Sequence, residues 1–233
     1  MAFGFYMSNN SLPDWDAVLS AAAHLQTILP NAVLVGGSAS AVYAQHRMSV
    51  DADHVLTNLR EQFDLVLAQL ESVSGWQTAR IQRPVQILGK LDGIETGIRQ
   101  LIRDEPLETA MQKISVGDAT IEVVLPTPAE ILRIKCVLIL KRNATRDYLD
   151  VAALSKWLGV DASCKALASF DALYPQPNGE SALMQLQIQL ARPLPYDLDG
   201  IELAEYKHLS TEWQRWESVE THCQALALAL FRP

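Results

Sequence analysis

Cysteine is scarce in this chain: Cys136, Cys164 and Cys223 are three in 233 residues, odd in number and widely scattered. They lack metal-ligand spacing and exclude a disulfide framework, which predicts reduced thiols and a cytoplasmic protein. Long apolar runs are missing too. None approaches the ~18 residues that span a bilayer, and the longest candidate, Val137 to Leu140, is hemmed by Lys135 and Lys141. The start, "MAFGFYMSNNSLPDW", has neither a basic opening nor a long apolar stretch, so no signal peptide and no membrane partner are expected. Positive charge is also short: the net charge is −8, which argues against an extended non-specific nucleic-acid surface, because phosphate neutralisation drives such binding. Repeats and low-complexity tracts are absent.

What remains is an ordinary globular composition, 49% apolar and 20% charged, long enough for one large domain or two small ones. Ser11, Pro13 and Asp14 open a first helix with capping-box spacing, and Pro30-Asn31 closes it. "AVLV" (Ala32 to Val35) reads as a short buried strand leading into Gly36-Gly37. "SASAVYAQH" reads as a small-residue helix, "SVDADHVL" as a second strand, and the stretch ending at Gly75 as an amphipathic helix. From Trp76 to Val124, short alternating runs separated by Gly89, Asp92-Gly93 and Gly117-Asp118 predict several strands, some paired as hairpins. Thr127, Pro128 and Glu130 then give a capping box for another helix, and the remainder is helical with breaks at Asn143, Gly159, "YPQPNG" and "RPLP". The expectation is an α+β fold: a mixed α/β domain over 1–125 and a helical domain over 126–233.

Asp51 and Asp53 stand two apart in the second strand, so both side chains point to one face. Like charges at that separation repel unless a cation sits between them, and hard oxygen ligands suit Mg²⁺. Upstream, Gly36-Gly37-Ser38 lies between a strand and a helix, where exposed amides and the helix dipole suit phosphate oxygens. Each piece alone has a plain alternative, a turn and a polar strand. Their order, with one helix between them, points to a metal-nucleotide site. Downstream, Arg133, Lys135, Lys141, Arg142 and Arg146 fall within fourteen residues and form a local basic stretch. If that stretch is helical throughout, Lys135, Arg142 and Arg146 share a face. The alternative is that Glu130 only caps, while the arginines pair with Asp147 and Asp150 on the surface. His54 follows the aspartates and turns to the opposite strand face, as a core residue. Trp213 and Trp216, three apart, are expected on one helix face as packing residues.

The string strand–Gly36-Gly37-Ser38–helix–Asp51-x-Asp53 resembles the signature of the DNA polymerase beta-type nucleotidyltransferases. Arg47 fits the "R-x-S-x-D-x-D" form of a narrower group. Glu130, Lys135, Arg142, Arg146, Asp147 and Asp150 resemble the helical element of that group, the AbiEii/AbiGii toxin-like nucleotidyltransferases. The resemblance covers about Val33 to Leu154. It implies a polymerase beta-like mixed sheet with flanking helices, followed by an all-α portion.

For the site, it implies two Mg²⁺ ions on Asp51, Asp53 and a third acid, Glu95 or alternatively Glu122. Gly36, Gly37, Ser38 and Arg47 would take the NTP together with Lys135, Arg142, Arg146, Asp147 and Asp150, and Lys135 would also act in catalysis. The implied activity is transfer of NMP to tRNA or protein by the toxin of a type IV toxin–antitoxin or phage-defence system, with a cognate antitoxin as partner. Two other readings remain open at this point: a small-molecule hydroxyl of antibiotic type as acceptor, which the net acidity favours, and a catalytically silent nucleotide-binding protein of the same fold.

Overall fold

The computed structural model describes residues 13–231. It opens with α1 (Pro13–Ile28), β1 (Val33–Leu34), α2 (Gly36–Ala44), β2 (Asp51–Leu56) and α3 (Leu59–Glu71). The Ser11 cap lies outside the described residues, and so does the Asp14 side chain. Five strands follow: β3 (Trp76–Gln82), β4 (Gln86–Leu91), β5 (Ile94–Gln100), β6 (Thr109–Val116) and β7 (Ala119–Pro126). The rest is helical: α4 (Pro128–Arg142), α5 (Thr145–Leu158), α6 (Val160–Leu167), α7 (Phe170–Leu173), α8 (Ala182–Ala191) and α9 (Trp216–Leu230), with three short 3₁₀ turns between α8 and α9.

The main sheet has the order β1-β2-β5-β4-β3. β2 and β5 run parallel, and the other pairs are antiparallel, so the sheet is mixed as expected. Asp92 (φ 52°) and Gly93 (φ 83°) both sit at positive φ in the β4–β5 turn, the requirement of a tight two-residue hairpin. β6 and β7 form a separate two-stranded ladder.

Alternation along β2 sorts the sheet into two faces. Ala52, His54 and Leu56 are buried, whereas Asp51, Asp53 and Val55 are partly open. On the first face, Leu56, Ile87, Leu91 and Ile98 pack with Leu25 of α1, with Leu29 just after it, and with Phe63, Val66 and Leu70 of α3. His54 belongs to this interior, as its strand parity requires. Its Nδ1–H donates to the Ala52 carbonyl at 3.0 Å, and burial pushes the imidazole pKa down to about 4.

A second apolar cluster joins Val18, Ala22, Leu34 and Ala52 to Val123, Leu125, Ile131 and Cys136, and continues to Phe170, Leu190 and Leu226. Hydrophobic packing therefore runs continuously across residue 125. Thr127 caps α4 by accepting from the Glu130 amide at 3.2 Å, but the Glu130 carboxylate does not return to close the box. It is buried and paired with Arg133 and Arg103, and the Thr127 amide donates to the Glu108 carbonyl instead. Trp213 and Trp216 do not share a helix face. Trp213 lies in a 3₁₀ turn against His222, and Trp216 begins α9, edge-on to Tyr148. Both are packing residues.

Candidate active site

The open face of β2 and β5 floors a cavity of about 790 Å³, within the range that small ligands occupy. Its walls come from the β1–α2 turn, the 47–50 loop, the segment 99–107, α4, the start of α5 and residues 205–207. Asp51 and Asp53 point into it together. Burial is the main influence that raises the Asp53 carboxyl above its ordinary pKa, with the like charge of Asp51 adding and Arg99 opposing.

Gly36 and Gly37 line the cavity at the start of α2. Gly36 has φ 75°, and a Cβ on it would stand 3.6 Å from the Asp53 Cβ. A Cβ on Gly37 would stand 2.7 Å from Ser49 Oγ and 2.9 Å from Arg47 Nη2. Both positions need glycine, one for its backbone and one for space. Ser38 departs from the expected role. It is 1% exposed and its hydroxyl donates to the Asp51 carbonyl at 2.5 Å, tying α2 to β2 rather than facing the cavity. The hydroxyl that does reach the pair is Ser49, whose Oγ donates to Asp51 Oδ1 at 2.5 Å.

The cationic wall is built in two layers. Asp150 is completely buried and receives Lys135 Nζ at 2.6 Å, Arg47 Nε at 2.8 Å, Arg47 Nη2 at 3.0 Å and His46 Nε2 at 2.7 Å. Burial alone would raise its pKa, yet Arg47, Lys135 and His46 hold the carboxyl well below the usual carboxylate range. His46 is pushed down by burial against the pull of Asp150, which leaves a neutral imidazole donating through Nε2. Asp147, also buried, takes Arg142 through two bonds of 2.6 and 2.7 Å. Asp147 and Asp150 therefore stand behind the wall, and neither lines the cavity. Lys135, Arg47, Arg142 and the exposed Arg146 do line it.

Lys135, Arg142 and Arg146 converge without a continuous helix. Asn143 (φ 47°) caps α4, and Arg146 belongs to α5. Arg142 is paired as the plain alternative held, and Lys135 likewise, but their partners Asp147 and Asp150 are in the interior, not on the surface, and Arg146 stands exposed. Arg133 is not part of this wall. It forks onto Glu108 and joins Glu130 in a buried group with Arg103.

The two candidates for a third acid lie elsewhere. Glu95 is the cross-strand partner of Asp51 on β5 but is exposed and does not line the cavity. Glu122 is on β7 in the other sheet, half-exposed beside Lys113 at 3.5 Å, and the structure does not bring it to the aspartates. Among the described residues, no group of three or more His, Cys, Asp or Glu side chains is placed to hold a metal ion.

Residues not singled out from the sequence complete the cavity. Arg99 lies 3.7 Å from Asp53, and its strand parity with Glu95 was a signal available in the sequence. Ser49 stood in the R-x-S-x-D-x-D string. Glu205, Tyr206 and Lys207 carried no local signal. They arrive because the Met48 amide donates to the Lys207 carbonyl at 2.9 Å and the Ser210 amide to the His46 carbonyl at 2.9 Å. Tyr206 also packs against the Arg47 guanidinium, 5.8 Å from its ring centre.

No family model matches the chain. Among solved structures it is similar to a putative nucleotidyltransferase from H. pylori, over 96% of both chains, with a TM-score of 0.55 and 14% identity. It is also similar to MenT4, a nucleotidyltransferase toxin from Mycobacterium tuberculosis H37Rv, over 96% of this chain and 86% of that one, with a TM-score of 0.50 and 16% identity. At such identities the likeness shows the fold: a nucleotidyltransferase-type mixed sheet with flanking and C-terminal helices. Among curated proteins, 130 residues, 55% of this chain, are 32% identical to the heme uptake protein MmpL11 of M. tuberculosis and the probable transport protein MmpL11 of M. bovis. The same span is 31% identical to the mycolic acid-containing lipids exporter MmpL11 of Mycolicibacterium smegmatis. The chain spans 13% of the length of these relatives. No helix among its described residues is long and apolar enough to cross a membrane.

Proposed function

We propose that the chain is a nucleotidyltransferase that moves NMP from an NTP to an acceptor hydroxyl on tRNA or protein. The observation that carries this reading is one cavity in which two carboxylates on one strand face stand beside a glycine turn and a wall of anchored cations. A protein of net charge −8 that gathers Arg47, Arg99, Lys135, Arg142 and Arg146 in one cavity is suited to a polyanion there.

The residues fit a divalent cation. Asp51 and Asp53 are parallel in direction, partly open and mutually repelling, and would hold Mg²⁺ in common with phosphate oxygens. A second ion would draw its remaining ligands from the triphosphate and water. When bound, Mg²⁺ polarises the phosphoryl oxygens and neutralises the leaving pyrophosphate.

The chain's own groups do the rest. The amides at Gly36 and Gly37 would meet the phosphates, with close approach secured by the missing side chains. Arg142 and Lys135, fixed by Asp147 and Asp150, would face the charge on the transferred phosphoryl group without rearranging. The acceptor oxygen bonds to the α-phosphorus as the bond to the β-phosphate oxygen breaks, and the hydroxyl proton leaves to solvent at the cavity mouth. The fold shared with MenT4, described as a toxin, supports a toxin role, and a cognate antitoxin is proposed as the partner of that role.

A second reading is favoured by one observation. Glu205 also lines the cavity, but among the described residues no third acid joins Asp51 and Asp53 in a group placed to hold a metal ion, which suits a protein that binds the metal nucleotide without transferring it. Incubating each α-labelled NTP with the protein, total tRNA and cell protein separates the two. Label on tRNA or protein that disappears with Asp53→Ala supports transfer. Label on neither, with metal-dependent NTP binding intact, supports the silent reading and removes the first.

A further inference from the structure

Arg99 occupies the ground that a third carboxylate would need. β5 runs parallel to β2 with Asp53 opposite Gly97 and Val55 opposite Arg99. A side chain at position 97 would push the Asp53 carboxylate aside, because a Cβ there would stand 2.2 Å from Asp53 Oδ1. The next side chain on that face of β5 is Arg99. Its Nη2 lies 3.7 Å from Asp53 Oδ1, and its side chain is 46% exposed.

The cavity thus holds two kinds of arginine. Arg47 and Arg142 are fastened to buried carboxylates at 2.6–3.0 Å, the short range of charge-assisted bonds. Arg99 reaches its carboxylate only at a long distance and half in solvent, where an ion pair contributes little. The first kind is built to stay and the second to be displaced.

We propose that Arg99 is a removable counter-cation for Asp53. It balances the carboxylate in the metal-free protein, a divalent cation displaces it, and the freed guanidinium is taken up by the triphosphate in the same cavity. Arg99 is then a positioning residue that makes metal entry depend on nucleotide entry. This rests on the metal-nucleotide reading above and adds the order and coupling of the two ligands.

The test uses Mn²⁺ as the metal probe and inorganic tripolyphosphate as the anion probe, with bound Mn²⁺ counted by electron paramagnetic resonance on the full chain. Wild type should bind Mn²⁺ weakly alone and more tightly with tripolyphosphate. Arg99→Gln should bind Mn²⁺ alone more tightly, on the order of tenfold, from loss of one unit charge beside the ion, and should lose most of the enhancement by tripolyphosphate. Arg99→Lys should behave as wild type, and Arg99→Glu should exceed Arg99→Gln. Equal Mn²⁺ affinity in wild type and Arg99→Gln, or an unchanged enhancement, overturns the proposal. If Asp51→Asn/Asp53→Asn binds Mn²⁺ as wild type does, the metal reading itself fails, whatever Arg99 does.

Discussion

Replacing Asp150 with asparagine removes one negative charge from the centre of three donors and leaves two cations facing each other in the interior. Asp150 is 0% exposed, and Lys135 and Arg47, its partners, are 2% and 7% exposed at the side chain. Breaking a buried pair by removing one partner costs roughly 3–5 kcal/mol, because the surviving charge has no water to return to. In a chain of this size each kcal/mol shifts the melting temperature by about 2–4 °C, so Asp150→Asn should melt on the order of 10 °C below wild type in calorimetry. Glu122→Gln is the control. It removes the same charge from a pair with Lys113 that is 52% and 74% exposed, and such surface pairs contribute at most ~1 kcal/mol.

Acidity adds a second signature. The folded carboxyl of Asp150 is held below its ordinary range, so its stabilisation is present above the unfolded pKa and disappears as pH falls through the folded one. The gap between wild type and Asp150→Asn should therefore persist at neutral pH and close only in strong acid. Pairing Asp150→Asn with Lys135→Met should recover part of the loss. Equal small shifts for Asp150→Asn and Glu122→Gln would refute the claim that this network anchors the cationic wall.

Other consequences follow from single contacts. Gly97→Ala should displace the Asp53 carboxylate, from the 2.2 Å approach a Cβ would make, and reduce Mn²⁺ binding by about tenfold or more; unchanged metal binding would contradict the close packing of the two strands. His54 is buried with its pKa lowered to about 4, so the unfolded chain takes its proton first as pH falls from 6.5. Stability should drop across that window by roughly 3 kcal/mol from this group. Urea unfolding of His54→Leu should show a shallower decline between pH 6.5 and 4, with His46 leaving a residual slope; an identical decline would mean His54 titrates normally.

The sequence carried much of the sheet because its signals are local. Alternation in β2 and the Asp92-Gly93 turn depend on neighbours two or three residues away, and so do the Thr127-Pro128 cap and the glycine turn. The errors lie where a partner distant in sequence decides. Ser38 looks like a phosphate ligand in its own stretch, but Asp51 supplies a carbonyl that takes its hydroxyl. Asp147 and Asp150 look like surface partners until α4 and α5, broken at Asn143, fold their charges inward. Glu95 has the right residue type in the right strand, and its register still sets it beside Asp51 and outside the cavity. The contribution of Glu205, Tyr206 and Lys207 depends on two backbone bonds across some 160 residues of chain, which no periodicity reports.

The central claim is that this cavity receives a metal nucleotide through Asp51 and Asp53. Titration calorimetry of each of the four NTPs into the full chain, with Mg²⁺ and then with EDTA, tests it most directly. At least one NTP should bind in Mg²⁺, lose that binding in EDTA, and fail to bind Asp51→Asn/Asp53→Asn whose melting temperature matches wild type. Absence of binding by all four in Mg²⁺, or undiminished binding by the double variant, would contradict it.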